Sequence, residues 1–377
     1  MRIAVNTRLL IKNKLEGIGW FAYEVLKRLS RNHPQHEFIF IFDRPFSKDF
    51  IFDKNVHPVV AGPQARHPFL FLLWFELTVP RILKKYKADV FLSPDGYLSL
   101  KTKTPSIAVM HDLNFEHYPK DLPFLVRHYY KQMFPRFAKK ATKIVTVSEY
   151  SATDIASQYN IDKSKISVAY NGANELFAPG TEAEKKDTRN QLTEGKPYLL
   201  FVGALHPRKN INNMLKAFDR YKSANPQDSV KLVLAGEKMW WNKTMESTFN
   251  SMQHKPDVIF SGRMNSEELR KAYGAAEALL YISYFEGFGI PIIEAYRCHT
   301  PVITSNVTSM PEVAGDGALY VDPFDIETIV KAIHKLRNDS ELRKQLVNAG
   351  IKKSKQFSWD YTAQNIWETI QDVTSKL

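Results

Sequence analysis

Along the whole chain, short runs of β-branched and aromatic residues alternate with longer amphipathic stretches. This is the pattern of parallel strands covered by helices. In the first half, IAVN, FIFIF, VFLS, SIAVMHD and KIVTVS read as strands, and GWFAYEVLKRLSR and LVRHYYKQMFPRFAKKA as helices. A second series begins at YLLFVG and runs through VKLVLAG, DVIFSG, EALLYIS, PVITS and ALYVD. Between them lies NGANELFAPGTEAEKKDTRNQLTEGK, whose Gly, Asn, Pro and charged residues read as a linker. The expected architecture is α/β, two doubly wound domains in tandem. Ligands in such domains bind outside the carboxyl ends of the strands, here in a cleft between the two halves. The stretch HPFLFLLWFELTVPRILKKYK, residues 67–87, predicts an internal amphipathic helix that buries Phe69, Leu73 and Leu77 on the sheet. SWDYTAQNIWETIQDVTSKL predicts a terminal helix with Trp359, Tyr361, Ile366, Trp367 and Ile370 available for burial.

Composition sharpens this picture at a few points. A chain of 377 residues exceeds the usual single core, which supports two domains. The lone Cys298 excludes an intrachain disulfide and a multi-thiolate zinc site. MRIAVNTRLLIKNK carries no secretion signal, and a reducing cytoplasm is the expected home. The longest apolar block, Phe69–Phe75, is too short to cross a bilayer. Charge is uneven. Residues 1–171 hold 26 basic against 15 acidic side chains, whereas residues 172–377 hold 26 against 25. A basic first half attracts anionic partners, among them phospholipid head groups and phosphorylated substrates. Nucleic acid is a poor fit, because the basic residues form no recognition module.

Two groups of residues carry candidate chemistry. Glu286 falls in the loop after EALLYIS, Gly287 and Gly289 let that loop approach a ligand, and Pro291 suits the first turn of the next helix. Glu294 lies one turn into that helix. In VGALHPRKN, Arg208 and Lys209 follow a strand and precede a helix, whose free N–H groups already favour anions. Cations at such a corner suit a diphosphate. Gly17, Gly19 and Ala22 match G-x-G-x-x-A, with Asp43 in the place of a ribose-binding acid, which raises an NAD-dependent oxidoreductase as a rival. TRLLIKNKLE separates those glycines from the first strand, however, and hydride transfer leaves the second-half motifs unexplained.

The chain resembles the retaining glycosyltransferases of family 4, which have the GT-B fold. The resemblance rests on Glu286 and Glu294 in an E-x7-E arrangement, on GALHPRKN, on PVITSNVTSMPEVAGDGALYVDPFD, on VTVSEYS with VAYNG, and on GRMNSEELRKAYGAAEALLYIS. Mannosyltransferases of bacterial surface polysaccharide assembly are the most similar members. The resemblance implies two Rossmann-like domains facing a cleft, 1–172 for the acceptor and 173–357 for the nucleotide sugar. A terminal helix, 358–377, would cross back to the first domain.

The family also implies roles. Arg208 and Lys209 would hold the donor phosphates, Glu294 the ribose hydroxyls and Glu286 the donor sugar. The backbone of Phe288 and Gly289 would add N–H donors, and Gly203, Gly236 and Arg263 would cradle the nucleotide. His111, at the end of SIAVMHD, would lie beside the donor sugar, and Gly17 and Gly19 would approach its phosphates or sugar. His117 reads as a surface residue. The expected donor is a nucleoside-diphosphate sugar, GDP-mannose first, and the expected acceptor a glycan or a lipid-linked saccharide. No cofactor is expected, nor a metal, since the chain has no Asp-x-Asp motif. The alternative on the same fold is a catalytically inactive scaffold, although Glu286, Glu294, Arg208 and Lys209 are all present. The basic first half would rest on an anionic membrane at its inner face, with Lys84, Lys85 and Lys87 as the contact.

Overall fold

A computed structural model describes residues 1–375. The chain divides into two compact units, one formed by Met1–Gly172 with the segment from Ser358 onward, the other by Ala173–Phe357. The first unit holds seven strands: β1 (Arg2–Asn6), β2 (Glu37–Phe42), β3 (Val56–Val60), β4 (Val90–Ser93), β5 (Ser106–Val109), β6 (Lys143–Thr146) and β7 (Ile166–Val168). They pair in the order β3-β2-β1-β4-β5-β6-β7, all parallel. The second unit holds β8 (Tyr198–Val202), β9 (Lys231–Ala235), β10 (Val258–Gly262), β11 (Ala278–Tyr281), β12 (Val302–Ser305) and β13 (Ala318–Val321), also parallel, in the order β10-β9-β8-β11-β12-β13. In both sheets the chain order reverses beside the first strand, so β1 and β4, and β8 and β11, are neighbours whose connections leave in opposite directions. Loops at the carboxyl ends of such a pair splay apart and leave room for a ligand. The central strands are buried on both faces, which explains their continuous apolar runs.

Three elements depart from the sequence reading. β3, VHPVV, carries Pro58, which removes a ladder donor and hides a strand from inspection; it is tolerated because β3 lies at the sheet edge. β7 has only three residues at the opposite edge. The expected linker contains a helix, Glu182–Thr193, opened by a capping box between Thr181 and Glu184. It buries only Thr188 and Thr193, so no apolar stripe announces it.

Residues 68–85 form one continuous helical run with a π-turn at Trp74–Thr78. The wider turn rotates the residues beyond it, and the face packed inward is Phe71, Trp74, Phe75, Val79, Ile82 and Leu83. Phe69 and Leu77, expected inside, are 63% and 38% exposed. Among the described residues, no helix is long and apolar enough to cross a membrane.

The helix Trp359–Thr374 packs in the first unit against the helix Gly17–Asn32. Its buried face includes Trp359, Ile366, Trp367 and Ile370, while Tyr361 points outward. Thr362 Oγ1 donates to the Tyr170 carbonyl at 2.5 Å, and Arg28 pairs with Asp360 at 2.6 Å.

Candidate active site

In the second unit, β8 leads through Gly203 to a short turn at Pro207–Lys209 and then to the helix Ile211–Ala224. His206 starts the turn by accepting the Arg208 N–H on Nδ1 at 3.1 Å. The turn aims both cations at the loop after the neighbouring strand, β11. Arg208 Nη1 lies 2.7 Å from Glu286 Oε2 and donates to the Phe285 carbonyl at 2.7 Å. Lys209 Nζ lies 2.6 Å from Glu286 Oε1 and donates to the Tyr281 hydroxyl at 2.6 Å. Glu286 is buried. Burial alone would raise its carboxyl, but Arg208 and Lys209 outweigh that and hold it down at about 2. Burial and the Glu286 charge both push the Tyr281 phenol up, so it stays neutral.

The loop carrying Glu286 is fixed by backbone and hydroxyl contacts. Tyr284 N–H donates to the Arg208 carbonyl at 3.1 Å, and Ser309 Oγ donates to the Glu286 and Phe288 carbonyls at 2.9 and 3.2 Å. Gly289 ends the loop at φ +104°, where a side chain would be strained and would meet Met310 at 3.0 Å. Phe288 is buried, its ring edge-on to Phe357. The helix Ile290–Arg297 then places Glu294 half-buried, accepting from the Tyr273 hydroxyl at 2.8 Å. Burial pushes the Glu294 carboxyl up to about 7 against the pull of that hydrogen bond. The two glutamates are thus in opposite states: Glu286 ionised and clamped, Glu294 titrating near neutrality.

Gly203 and Gly236 meet each other. A Cβ on Gly236 would fall 1.8 Å from the Gly203 carbonyl oxygen, so packing alone requires glycine there. Arg263 is exposed past the end of β10, two strands away from β8.

In the first unit, His111 follows β5. Its Nε2 lies 2.8 Å from the Pro94 carbonyl, which only accepts, so Nε2 carries the proton and Nδ1 the lone pair. Phe21 packs edge-on at 4.7 Å, and burial lowers the imidazole pKa, leaving it neutral at physiological pH. Gly17 and Gly19 are in the first turn of the helix Gly17–Asn32, Gly17 exposed and Gly19 buried. Asp43 is fully consumed: its carboxylate accepts from Arg44 at 2.6 and 2.7 Å and from the Ala65 N–H at 2.8 Å. That removes the ribose-binding acid on which the oxidoreductase reading depended. His117, expected as a surface residue, is exposed but pairs with Asp154 at 2.8 Å.

One cluster at this sheet edge escaped sequence reasoning. Arg8 is buried just past β1, its Nε 2.7 Å from Asp95 and its guanidinium 4.5 Å from the Tyr97 ring centroid. Asn6 and Ser93, which end β1 and β4, donate to the same carboxylate at 2.8 and 3.0 Å.

Comparison with known proteins identifies what this fold belongs to. The family model described as "Glycosyl transferases group 1" matches residues 182–353, and "Glycosyltransferase Family 4" matches residues 15–175. The chain is 30% identical over 302 residues to the O-antigen chain mannosyltransferase RfbU of Salmonella typhimurium, covering 76% of this chain and 79% of the relative. The chain is a glycosyltransferase of family 4. The O-antigen chain mannosyltransferase B of Escherichia coli is 28% identical to this glycosyltransferase over 365 residues, 93% of this chain and 94% of the relative. Among solved structures, Anabaena HepE in complex with UDP and glucose superposes with a TM-score of 0.76 at 16% identity, covering 98% and 99% of the two chains. WaaG, a glycosyltransferase involved in lipopolysaccharide biosynthesis, gives 0.76 at 16%, covering 99% of each. The architecture is therefore GT-B.

Within this glycosyltransferase, the structure gathers Arg208, Lys209, Glu286, Phe288, Gly289 and Glu294 around the carboxyl ends of β8 and β11. Gly203 and Gly236 lie on the β8–β9 side of that edge. Arg208 and Lys209 converge on one buried carboxylate, Glu286. Two cations against one carboxylate leave a local excess of positive charge suited to an anion.

Proposed function

We propose that this glycosyltransferase moves a mannosyl group from a nucleoside-diphosphate sugar, GDP-mannose first, to a glycan or lipid-linked acceptor in surface polysaccharide biosynthesis. The observation that carries the reading is the pair Arg208 and Lys209 converging on buried Glu286 beside a helix start. The names of the O-antigen mannosyltransferase relatives support the choice of sugar and pathway. In this reading the unit Ala173–Phe357 binds the donor, and the unit containing Met1–Gly172 binds the acceptor. The reaction takes place at the cytoplasmic side of the membrane.

Arg208 and Lys209 hold the diphosphate and stabilise the charge that grows on it as the glycosidic bond breaks. Glu286, already ionised, accepts from hydroxyls of the donor sugar, and Glu294 accepts from the ribose. Backbone N–H groups at Phe288 and Gly289 meet the sugar or phosphates, with Gly203, Gly236 and Arg263 around the nucleotide. His111 offers the Nδ1 lone pair, and the backbone at Gly17 and Gly19 serves the donor's phosphates or sugar. The anomeric configuration is retained: the acceptor oxygen attacks on the face the diphosphate leaves, and its proton passes to the departing phosphate oxygen. Two side-chain cations supply the electrostatics, so no metal is essential.

A calorimetric screen of guanosine, uridine and adenosine diphosphates and their sugars tests the donor, and NMR of the product tests its stereochemistry. Binding of GDP-mannose with an axial-retained linkage is expected, insensitive to chelator. An inverted linkage, or activity that chelator abolishes and magnesium restores, would overturn the mechanism.

Glu294 adds a pH signature. Ionised, it accepts from ribose hydroxyls more strongly than the neutral acid does. Affinity for GDP-mannose, whose phosphates do not titrate near neutrality, should therefore rise as pH climbs through about 7, by at most about tenfold per pH unit. Stability runs the other way. Because the folded value is raised above the usual 4.5, Glu294's contribution is complete below 4.5 and is lost as pH rises through about 7. Glu294→Gln should flatten both profiles, read by calorimetry and thermal unfolding; unchanged slopes would remove Glu294 from the ribose site.

A further inference from the structure

Among the described residues of the second unit, five large hydrophobic side chains are exposed: Leu176, Met239, Trp240, Tyr320 and Phe324. Three of them stand in loops at the carboxyl edge of the sheet that carries the candidate active site. Met239 and Trp240, 57% and 42% exposed, follow β9, and Phe324, 63% exposed, follows β13. Single hydrophobics scattered over a surface need no explanation, but aromatic rings held in water beside a site do.

A chain of contacts joins these rings to the Arg208 turn from both sides. The Trp240 ring lies edge-on to His206 at 5.2 Å, and His206 accepts the Arg208 N–H. On the other side the Arg208 carbonyl accepts from the Tyr284 N–H, and the Tyr284 ring stacks on Phe324 at 6.1 Å. Both loops are fixed. Trp241 turns inward against Phe260 at 5.4 Å, Lys238 sits 3.6 Å over the same ring, and the Glu237 carbonyl accepts from the Leu205 N–H at 3.1 Å. The Pro323 carbonyl accepts from Asn210 and Asn213 at 2.6 and 3.0 Å. The exposed rings are thus positioned before a ligand arrives, which lowers the ordering cost of binding.

The winding of the sheet argues against the nucleoside as their occupant. β8 crosses to β9 and β11 to β12 in opposite directions, so right-handed connections put the helices Ile211–Ala224 and Ile290–Arg297 on opposite faces. The helices that follow Trp240 and Phe324, Lys243–Ser251 and Ile326–Asn338, pack on Ile211–Ala224. Glu294, the proposed ribose contact, belongs to the other face. The rings therefore flank the diphosphate turn on the side away from the ribose, the side left to an acceptor. Charge narrows the class of that acceptor. Exposed Asp322 and Asp325 bracket Phe324, exposed Glu237 precedes the turn of Trp240, and Lys238 is engaged over Phe260. Carboxylates repel an anionic lipid surface and accept from hydroxyls. A pyranose offers partners for both, C–H faces for the rings and hydroxyls for the carboxylates.

We propose that Trp240 and Phe324, backed by His206 and Tyr284, bind the acceptor as a neutral saccharide chain, one sugar face against each exposed ring. The acceptor is then longer than a single sugar, and its binding determinants extend onto the donor unit. The inference rests on the glycosyl-transfer reading with Glu294 at the ribose, and it adds the chemical class of the acceptor.

The test is calorimetry of the full chain, with and without GDP, against α-mannotriose, maltotriose and chitotriose and their monosaccharides. Wild type should bind at least one trisaccharide about tenfold or more tightly than its monosaccharide, as two stacked rings allow. Trp240→Ala and Phe324→Ala should each weaken that binding about threefold to tenfold, Trp240→Phe and Phe324→Tyr should recover most of it, and Leu176→Ala should change it less than about twofold. GDP affinity should stay within about twofold in all of them, and thermal unfolding of each variant reports the fold separately. A trisaccharide bound no better than its monosaccharide, no saccharide bound at all, or alanine variants that bind like wild type would each overturn the acceptor rings. Loss of GDP affinity in Trp240→Ala would give that ring to the nucleobase and overturn them as well. Wild type that fails to bind GDP, with saccharide binding still weakened in the alanine variants, would sink the donor reading and leave the rings standing.

Discussion

Lys209→Ala is expected to lower the transfer rate by about 10²–10³-fold, the cost of removing one preorganised charge from a developing oxyanion. Two contacts make the residue hard to replace. Its ammonium lies 2.6 Å from Glu286 and donates to Tyr281 at the same distance, so its position is fixed before any ligand arrives. Without it, Glu286 keeps Arg208 at 2.7 Å, and the carboxyl should climb from about 2 toward its ordinary range. Arg208 must then serve the carboxylate and the diphosphate together. The loss should therefore appear in kcat as well as in donor affinity, and Arg208→Ala combined with Lys209→Ala should cost less than the two single effects added. A rise in donor KM with kcat unchanged would reduce Lys209 to a ground-state contact.

The reach of the sequence can be judged at that same site. Arg208 with Lys209, and Glu286 with Glu294, could each be assigned to the carboxyl end of a strand because YLLFVG and EALLYIS are unmistakable buried runs. What the chain did not disclose is that β8 and β11 are neighbours, which is a property of the winding and not of any local pattern. Nor does it disclose that Glu286 closes on both cations while Glu294 faces a tyrosine twenty-one positions away. Local chemistry hid other elements. Pro58 masked an edge strand, and a uniformly polar surface masked the helix Glu182–Thr193. In residues 68–85 the apolar content was legible but its phase was not: the inward face runs through Phe71, Trp74 and Phe75, which turns Phe69 outward, and beyond the π-turn at Trp74–Thr78 it continues through Val79, Ile82 and Leu83, which leaves Leu77 outside.

Arg8 was illegible for a different reason: in NTRLLIKNK it reads as one more surface cation. Its surroundings make it a structural charge. Asp95 is 4% exposed at its side chain and Arg8 9%, and the guanidinium is ringed by Tyr97, Phe71 and Phe75. Burial would lower the Arg8 pKa, but Asp95 more than compensates and the net direction is upward. Arg8→Ala should therefore destabilise the protein by about 3–5 kcal/mol, since it strands a buried carboxylate and opens a gap among three rings. Asn6 and Ser93 still donate to Asp95, which favours the lower end of that range. The ion pair itself contributes little net stability if its two charges only repay each other's desolvation. Arg8→Met combined with Asp95→Leu should then recover most of the loss, although Asn6 and Ser93 would lose an acceptor. Denaturant unfolding of Arg8→Met, Asp95→Leu and the double variant closes the cycle, with Arg8→Ala measured beside them. A single-variant cost under about 1 kcal/mol would mean that water reaches Asp95 and that the pair is a surface contact. A double variant as unstable as Arg8→Ala would place the cost in the polar network that ties Asn6 and Ser93 together at the ends of β1 and β4.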